Sequence, residues 1–265
     1  MLFRRLDDGR LQSLEVPTLE RLFYGGQTMP RAFHERVVQQ FEQRGVGLGV
    51  VYGLTEGGTC GLMLDPEDHA EAVRRHGQLG LSIGRRPWND WIEHRVVGPD
   101  GEDVAPGQVG EIWLRAPSVM SRYVGNEEAT VHALAGGWLH TADMATVDES
   151  GFVYFVDRSK SMIRRGGMNI AAAEVEAVVL GHASVAEAAA IGRPNPVLGE
   201  DVHLIVVPKA GEDVSAEDLI EFCRGQLADY KVPGSVSFTA ALPRNAMGKV
   251  ARADLPAYLP EATTS

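Results

Sequence analysis

Cysteine, positive charge and long apolar runs are all scarce in this 265-residue sequence. Its two cysteines, Cys60 and Cys223, are too few for a disulfide framework and form no Cys-x-x-Cys pair. A formal net charge of -11 argues against the basic surface typical of nucleic-acid-binding proteins. No run approaches the roughly 18 apolar residues that a membrane-spanning helix needs. We therefore expect a cytoplasmic protein with reduced thiols, no nucleic-acid partner and no membrane span.

The composition is otherwise that of a folded globular protein. Hydrophobic residues make up 44% of the chain and charged residues 23%, and the length suits one or two domains. Residues 30–44 predict a helix, because Pro30 suits a first turn and Gly45 a stop, with Val37, Val38 and Phe41 on one face. The following apolar run, Leu48 to Tyr52, predicts a buried strand.

The middle of the chain is rich in short strands. The segments from Glu93 to Val97, Glu111 to Arg115 and Phe152 to Val156 favour strands separated by Gly- and Pro-containing turns. This pattern is typical of a small antiparallel barrel or sandwich. A short helix near Glu127–Leu134 interrupts it.

The last third mixes helices and strands again. We predict a helix over Glu174–Leu180, a central strand over Val202–Val207 and a helix that Ser215 caps and that runs to Tyr230. The charged segment Asp157–Ser161 is the expected domain boundary. The prediction is thus an α/β part over residues 1–78, a distorted antiparallel β-barrel over residues 79–157, and a small α+β domain over residues 158–265.

Two segments of the first half carry polar groups at the ends of predicted strands. In Tyr52-Gly-Leu-Thr-Glu56, Thr55 can contact a phosphate oxygen and Glu56 can hold Mg²⁺, although a polar loop explains the pattern as well. In Gly136 to Asp143, the final carboxylate can accept hydrogen bonds from two ribose hydroxyls. Asp is nevertheless common in loops, so this signal is weak alone.

Three further segments combine glycine with polar or basic residues. Tyr24-Gly-Gly-Gln-Thr-Met-Pro30 lets a flat ligand lie on the backbone, or is simply a strand-to-helix turn. Asp157 to Asn169 holds Arg158 and the Gly166-Gly167 pair, or is a charged linker followed by a turn. In Pro243 to Lys249, a lysine after a glycine can place its charge on a phosphoryl group, although most surface lysines do not.

The order and spacing of these segments carry more weight than each segment alone. Together they resemble the adenylate-forming superfamily, which includes acyl-CoA synthetases, firefly luciferases and the adenylation domains of peptide synthetases. The matching motifs are its Tyr-Gly-x-Thr-Glu at 52–56, Gly-Trp-x-x-Thr-Gly-Asp at 137–143, Asp-Arg-x-Lys at 157–160, Gly-x-x-Ile-x-Pro-x-Glu-Ile-Glu at 167–176 and Pro-Arg-x-x-x-Gly-Lys at 243–249. The resemblance covers residues 19 to 255.

The resemblance implies roles for individual residues. Thr55 would lie by the α-phosphate of ATP, Glu56 would hold Mg²⁺, and Lys249 would bridge the acyl carboxylate and the α-phosphate. Lys160 would be the hinge of a mobile C-terminal domain. The implied contacts with ATP, AMP or coenzyme A are made by Gly25, Gly26, Gln27, Tyr52, Gly53, Asp143, Arg158, Gly166 and Gly167.

The sequence also departs from the family pattern. Ala142 stands where the family has Gly, Ser161 where it has an acid and Ala172 where it has Pro. The Ser/Thr/Gly-rich phosphate loop of the family has no counterpart in residues 1–24. We therefore expect a chain that corresponds to the C-terminal half of the family's proteins, as a truncated product or as a piece that needs a complementing N-terminal half chain or a homodimer.

The function that the resemblance implies is ATP-dependent ligation of a carboxylic acid to the thiol of coenzyme A through an acyl-AMP. A stand-alone adenylation domain is an alternative within the same class. The alternative from another class is a non-catalytic module that binds AMP, coenzyme A or a partner protein. Binding of AMP without pyrophosphate exchange would favour this last hypothesis.

Overall fold

The computed structural model describes residues 17–26, 31–59, 61–74, 82–246 and 248–259. The chain divides into two compact units, Met1–Val156 and Asp157–Ser265. Within the described ranges, no helix has both the length and the apolar character needed to cross a membrane.

The first unit contains a four-stranded sheet in the order β1-β2-β3-β4. Its strands are Arg21–Gly25 (β1), Gly47–Tyr52 (β2), Leu62–Leu64 (β3) and Arg86–Pro87 (β4). β1 and β2 pair in parallel, and helix α1 (Arg31–Glu42) connects them. Val37, Val38 and Phe41 of α1 are buried with Leu48 of β2, as the spacing of the apolar residues predicted.

Helix α2 (Pro66–Arg74) follows β3 and begins with two favourable features. Pro66 occupies the first turn, where its missing N–H costs no hydrogen bond. The Oδ1 atom of Asp65 accepts the backbone N–H groups of Glu67 (3.1 Å) and Asp68 (2.9 Å), so Asp65 caps the helix.

The second sheet of the first unit has the order β5-β6-β7-β8. Its strands are Glu93–Val97 (β5), Val109–Arg115 (β6), Leu139–Val147 (β7) and Val153–Arg158 (β8), and helix α3 (Glu127–Ala133) precedes β7. One face is buried, with Ile112, Leu114, Leu139 and Val153 almost fully inaccessible to solvent. Buried residues alternate with more exposed ones along β6, as in a sheet with one buried face.

This second sheet differs from the predicted β-barrel. Among the described residues its four strands form an open sheet and no closed barrel. The turn pattern predicts antiparallel neighbours but does not count strands, and four strands are too few to curl around a filled interior. The antiparallel pairing of β5 with β6 and of β6 with β7 is as expected.

The second unit is an α+β structure around one sheet of five strands, as predicted. Their order is β10-β9-β12-β11, and β13 pairs with β12. The elements are Met162–Arg165 (β9), Met168–Ala171 (β10), Ala172–Val179 (α4), Val185–Asn195 (β11), Gly199–Pro208 (β12), Ala216–Arg224 (α5) and Ser235–Phe238 (β13). Val175, Val179, Leu219 and Cys223 of the two helices are buried in one core with Leu204 of β12.

Helix α5 begins as predicted and ends earlier than predicted. Ser215 accepts the backbone N–H of Asp218, and Asp218 reciprocates, which completes the capping box. The predicted continuation to Tyr230 is wrong, because α5 ends at Arg224 and a separate 3₁₀ turn covers Asp229–Lys231. Gly225 follows the last helical residue, and glycine is a poor helix former.

Candidate functional site

The end of strand β2 carries the first group of predicted site residues. Tyr52 is the last residue of β2, Gly53 follows it, and a 3₁₀ turn spans Thr55–Gly57. Backbone hydrogen bonds close this turn, from Gly57 N–H to the Leu54 oxygen (3.1 Å) and from Gly58 N–H to the Thr55 oxygen (3.1 Å). Thr55 is exposed and Glu56 is half-buried, so both side chains are accessible at the end of the sheet.

A second segment, residues 116–123, is hydrogen-bonded to this turn. The N–H of Met120 donates to the backbone oxygen of Glu56 (2.7 Å), and the Ser118 hydroxyl donates to the Gly57 oxygen (2.9 Å). The Tyr123 hydroxyl donates to the Oε1 atom of the Glu56 carboxylate (3.0 Å). No local sequence pattern singles out Tyr123, because it lies 67 residues from its partner in the chain.

Asp143 lies in an irregularity of strand β7. Glu111 pairs with Met144 and Trp113 pairs with His140, so Ile112 alone faces three residues of β7. Such a bulge re-aims the side chains that it carries. The Thr141 hydroxyl donates to the Ile112 oxygen (2.6 Å) and accepts the N–H of Asp143 (3.1 Å), which fixes the bulge from within.

The bulge brings two predicted site residues together. Asp143 is 2% exposed, and the Tyr52 hydroxyl donates to its Oδ2 atom at 2.7 Å. The two residues are 91 positions apart and belong to different sheets of the first unit. The strand-end loop of β2 and the motif in β7 thus form one cluster.

Strand β1 places Gly25 beside the same loop. Gly25 pairs with Val51, next to Tyr52, and a Cβ atom on Gly25 would lie 2.1 Å from the backbone oxygen of Val51. The close approach of the two strands therefore accounts for glycine at this position. Gly26 follows with φ 89°, a conformation that favours glycine. Gln27, the third predicted residue here, lies outside the described residues.

Tyr24, the residue before these glycines, is hydrogen-bonded to helix α2. The Tyr24 hydroxyl and the Nε2 atom of His69 in α2 are 2.8 Å apart. Burial raises the pKa of Tyr24 well above its ordinary value, because the ionised phenolate would lose its hydration. Tyr24 therefore stays neutral at physiological pH.

The donor set around Glu56 suits a weakly held divalent ion. The described ranges contain no group of three or more His, Cys, Asp or Glu residues that could bind a metal by themselves. Mg²⁺ typically takes only one or two carboxylates from a protein and completes its shell with water and substrate phosphates. Glu56, whose carboxylate Tyr123 orients, fits that requirement.

In the second unit, Arg158 and Lys160 lie beside a buried carboxylate. Asp157 accepts the N–H of Arg158 (2.7 Å) and, through Oδ2, the N–H of Ala173 (2.9 Å) in the first turn of α4. The position before α4 is Ala171, which has no side chain able to cap. Asp157 therefore caps the helix although it lies 16 residues before Ala173 in the chain. Arg158 and Lys160 are exposed.

The predicted Gly166-Gly167 pair forms a hairpin turn. It joins β9 to β10, with Arg165 and Met168 paired across it, and both glycines have positive φ (56° and 80°). Two residues of positive φ define a type I′ turn, for which glycine is favoured. Its two glycines are exposed.

Lys249 lies on a tight exposed loop. Arg244 and Val250 form an isolated antiparallel bridge, and the N–H of Gly248 donates to the Asn245 oxygen (2.8 Å). The Asn245 side chain accepts the Lys249 N–H (3.1 Å), and Arg244 forms an ion pair with Glu187 of β11. Hydrogen bonds within the turn, including the one to the Asn245 side chain, thus define the place of Lys249.

Comparison with known protein families gives two matches in chain order. The model described as AMP-binding enzyme matches residues 1–124. The model described as AMP-binding enzyme C-terminal domain matches residues 174–249. The two matches fall in the two units of the structure.

Individual relatives agree with these matches. Feruloyl-CoA synthase of Amycolatopsis sp is 38% identical over 246 residues, which is 93% of this chain and 48% of that protein. The amide bond synthetase of Marinactinospora thermotolerans has a similar structure, with a TM-score of 0.79 and 31% identity over 98% of this chain and 51% of the other. The chain spans about half the length of the curated relatives that it matches.

One similar structure was solved with an adenylate bound. It is o-succinylbenzoate CoA synthetase from Bacillus subtilis in complex with its acyl-adenylate intermediate, with a TM-score of 0.79 and 30% identity over 96% of this chain and 49% of that one. The same enzyme has also been solved in complex with ATP and magnesium ion.

Proposed function

Because this chain belongs to the adenylate-forming superfamily, we propose that it takes part in ATP-dependent activation of a carboxylic acid as an acyl-AMP and in transfer of the acyl group to coenzyme A. The observation that carries the proposal is the 2.7 Å hydrogen bond from Tyr52 to Asp143. It joins two motif segments that are far apart in the sequence and places them at the end of the strand that leads to Glu56.

In the first unit, the proposed roles concern the nucleotide. Asp143 would accept hydrogen bonds from the ribose hydroxyls, and Gly25, Gly26, Tyr52 and Gly53 would border the adenine. The exposed Thr55 hydroxyl would donate to the α-phosphate. Glu56 would hold Mg²⁺, which supplies charge neutralisation for the phosphates when it is bound.

In the second unit, the proposed roles concern the reacting groups. Lys249 would place its ammonium group on the acyl carboxylate and the α-phosphate, and Arg158 would contact the ribose. The Gly166-Gly167 turn would border the path of the coenzyme A thiol. Lys160 lies three residues after the start of the second unit, and we propose it as the hinge of a mobile domain.

The chemistry matches these residue types. A carboxylate oxygen attacks the α-phosphorus of ATP, the bond to pyrophosphate breaks, and a mixed anhydride with AMP forms. The oxygens around the five-coordinate phosphorus carry the negative charge of the transition state, which a lysine ammonium stabilises. The sulfur of coenzyme A then attacks the acyl carbon, AMP leaves, and the thiol proton passes to solvent.

The proposed acceptor is coenzyme A because of the named relatives. Feruloyl-CoA synthase and o-succinylbenzoate CoA synthetase both carry it in their names, whereas the amide bond synthetase does not. Neither name decides the acid that this chain uses. A panel of fatty, aryl and alicyclic acids therefore has to be compared.

The experiment is ATP–pyrophosphate exchange by the purified 265-residue chain with each acid of that panel. We expect exchange with at least one acid, and a loss of about a hundredfold in Lys249→Ala, because a charge that stabilises the transition state contributes on that scale. Lys209→Ala is the matched control, since Lys209 is an exposed lysine of the second unit outside the proposed site. Absence of exchange with every acid, from a chain whose folding is verified by circular dichroism, would reject the proposal for this chain.

A further inference from the structure

The bulge that carries Asp143 contains a strained residue. Ala142 has φ 58°, in the left-handed region, where glycine is favoured and alanine is not. Ala142 lies directly before Asp143, so any relaxation of its backbone would turn the carboxylate away from Tyr52. Something in the structure must hold this conformation in place.

The side chain that holds it is Glu111 of strand β6. Its Oε1 atom accepts the N–H of Ala142 at 2.7 Å. A residue in a bulge loses its regular partner in the strand ladder, so this carboxylate replaces the missing backbone acceptor. The hydrogen bond is charge-assisted and therefore stronger than one to a neutral oxygen.

Glu111 is itself fixed by two aromatic neighbours. The Nε1–H of Trp113 donates to Oε2 of Glu111 at 3.0 Å, and the Nδ1 atom of His140 lies 3.6 Å from the same oxygen. The rings of Trp113 and His140 contact each other at a tilt of 41°, with their centres 4.1 Å apart. The side chain of Glu111 is 25% exposed, so its carboxylate has limited freedom to turn toward solvent.

We propose that Glu111 is a positioning residue for nucleotide binding, because its carboxylate holds the Ala142 backbone in the conformation that directs Asp143 toward Tyr52. Glu111 does not touch the nucleotide in this proposal and acts only through Ala142 and Asp143. The proposal rests on the proposed function, in that AMP is the ligand whose affinity reports on Asp143.

The first test is AMP affinity of the full chain, measured by calorimetric titration. Glu111→Ala should weaken AMP binding about tenfold, since a misplaced binding group costs at least that much. Glu111→Gln keeps an amide oxygen that can accept the Ala142 N–H, so its affinity should stay within about threefold of the parent chain. Glu93→Ala, which removes an exposed partner of Arg115 in the same sheet, is the control and should bind as the parent does.

The second test is a double-mutant cycle with Ala142→Gly. Glycine adopts positive φ without strain, so this change should recover several-fold more AMP affinity in the Glu111→Ala background than it adds in the parent. The same cycle can be measured by the midpoint temperature of thermal unfolding, which needs no ligand. Glu111→Ala should lower this midpoint by roughly 4 °C. Ala142→Gly should raise the midpoint more in the Glu111→Ala variant than in the parent chain.

The outcomes separate the two proposals. A parent chain that binds no AMP contradicts the proposed function, while the midpoint cycle still decides whether Glu111 holds the bulge. The role of Glu111 is overturned if Ala142→Gly shifts the midpoint equally in both backgrounds. It is also overturned if Glu111→Gln loses as much affinity as Glu111→Ala, or if Glu111→Ala binds AMP as tightly as the parent.

Discussion

The candidate residues of the two units are held in place by different interactions. In the first unit, side chains fasten them: Tyr52 donates to Asp143, and Tyr123 donates to Glu56. In the second unit, Gly166, Gly167 and Lys249 are exposed on turns that are held by local hydrogen bonds. Contacts between distant side chains thus position Asp143 and Glu56 in the first unit, while Gly166, Gly167 and Lys249 of the second unit depend on local turns.

Two glycines illustrate the difference. Gly25 lies against the backbone of Val51, and the lack of space requires glycine there. Gly167 has no atom near the position of a Cβ, and only its φ of 80° favours glycine. Packing therefore requires glycine at position 25, whereas backbone conformation favours it at position 167. Substitutions that separate these causes should have effects of different size.

The largest expected effect is that of Gly25→Ala. Its methyl group would meet the Val51 oxygen at 2.1 Å, so strands β1 and β2 would have to separate. We expect a loss of about 3 kcal/mol in the free energy of unfolding, at the upper end of overpacking costs. Urea denaturation followed by tryptophan fluorescence measures it. A loss below about 1 kcal/mol would show that packing does not require glycine at this position.

The second prediction concerns side-chain hydrogen bonds in the interior of the second unit. His203 of β12 is fully buried, with Nδ1 2.7 Å from the Ser235 hydroxyl and Nε2 2.9 Å from the Ser237 hydroxyl. Burial, and then the charge of Arg193, lower the pKa of His203 to about 4, against an opposing effect of Asp201. The neutral ring is therefore the form that the fold accepts.

This lowered pKa predicts acid destabilisation. Between pH 6.5 and pH 4 the unfolded chain binds a proton that the folded chain does not, so stability falls as the pH falls through this window. The free energy of unfolding should be lower at pH 5 than at pH 7 by about 2 kcal/mol because of this group. His203→Gln removes the titrating group. The difference in the free energy of unfolding between variant and parent, measured by urea denaturation at both pH values, should therefore change by that amount. An identical pH dependence in both chains would contradict the prediction.

The third effect concerns the fastening of Glu56. Tyr123→Phe removes the donor to the Glu56 carboxylate, and a hydrogen bond to a charged group contributes about 1.5 kcal/mol. The Mg²⁺ concentration for half-maximal pyrophosphate exchange should therefore rise about tenfold, with little change in rate at saturating Mg²⁺. The control is Tyr154→Phe, whose hydroxyl donates to Asp148 elsewhere in the same unit. Equal Mg²⁺ dependence in the two variants would show that Tyr123 does not orient Glu56.

The smallest effect is expected for Gly167→Ala. The methyl group meets no atom, so the only cost is that of placing alanine at φ 80°, about 1 kcal/mol. Urea denaturation measures this loss in the free energy of unfolding, which is then compared with the loss in Gly25→Ala. A loss at Gly167 as large as that at Gly25 would remove the distinction between the two glycines.

Much of the local structure followed from the sequence. The positions of helix α1, strand β5 and the Ser215–Asp218 capping box agree with their apolar periodicity and capping residues. The end of α5 and the open form of the second sheet did not follow, because they depend on where the chain must pack and on how many strands pair. Propensity alone contains neither quantity.

The sequence by itself determined the family of this protein and the motif segments that could carry its chemistry, because the order and spacing of those segments are properties of the chain. Only the tertiary structure decided which residues meet. Tyr52 and Asp143, Tyr123 and Glu56, and Glu111 and Ala142 are 91, 67 and 31 positions apart, respectively. Strand pairing and the bulge in β7 bring them within hydrogen-bonding distance, and a side chain's local sequence does not contain that information.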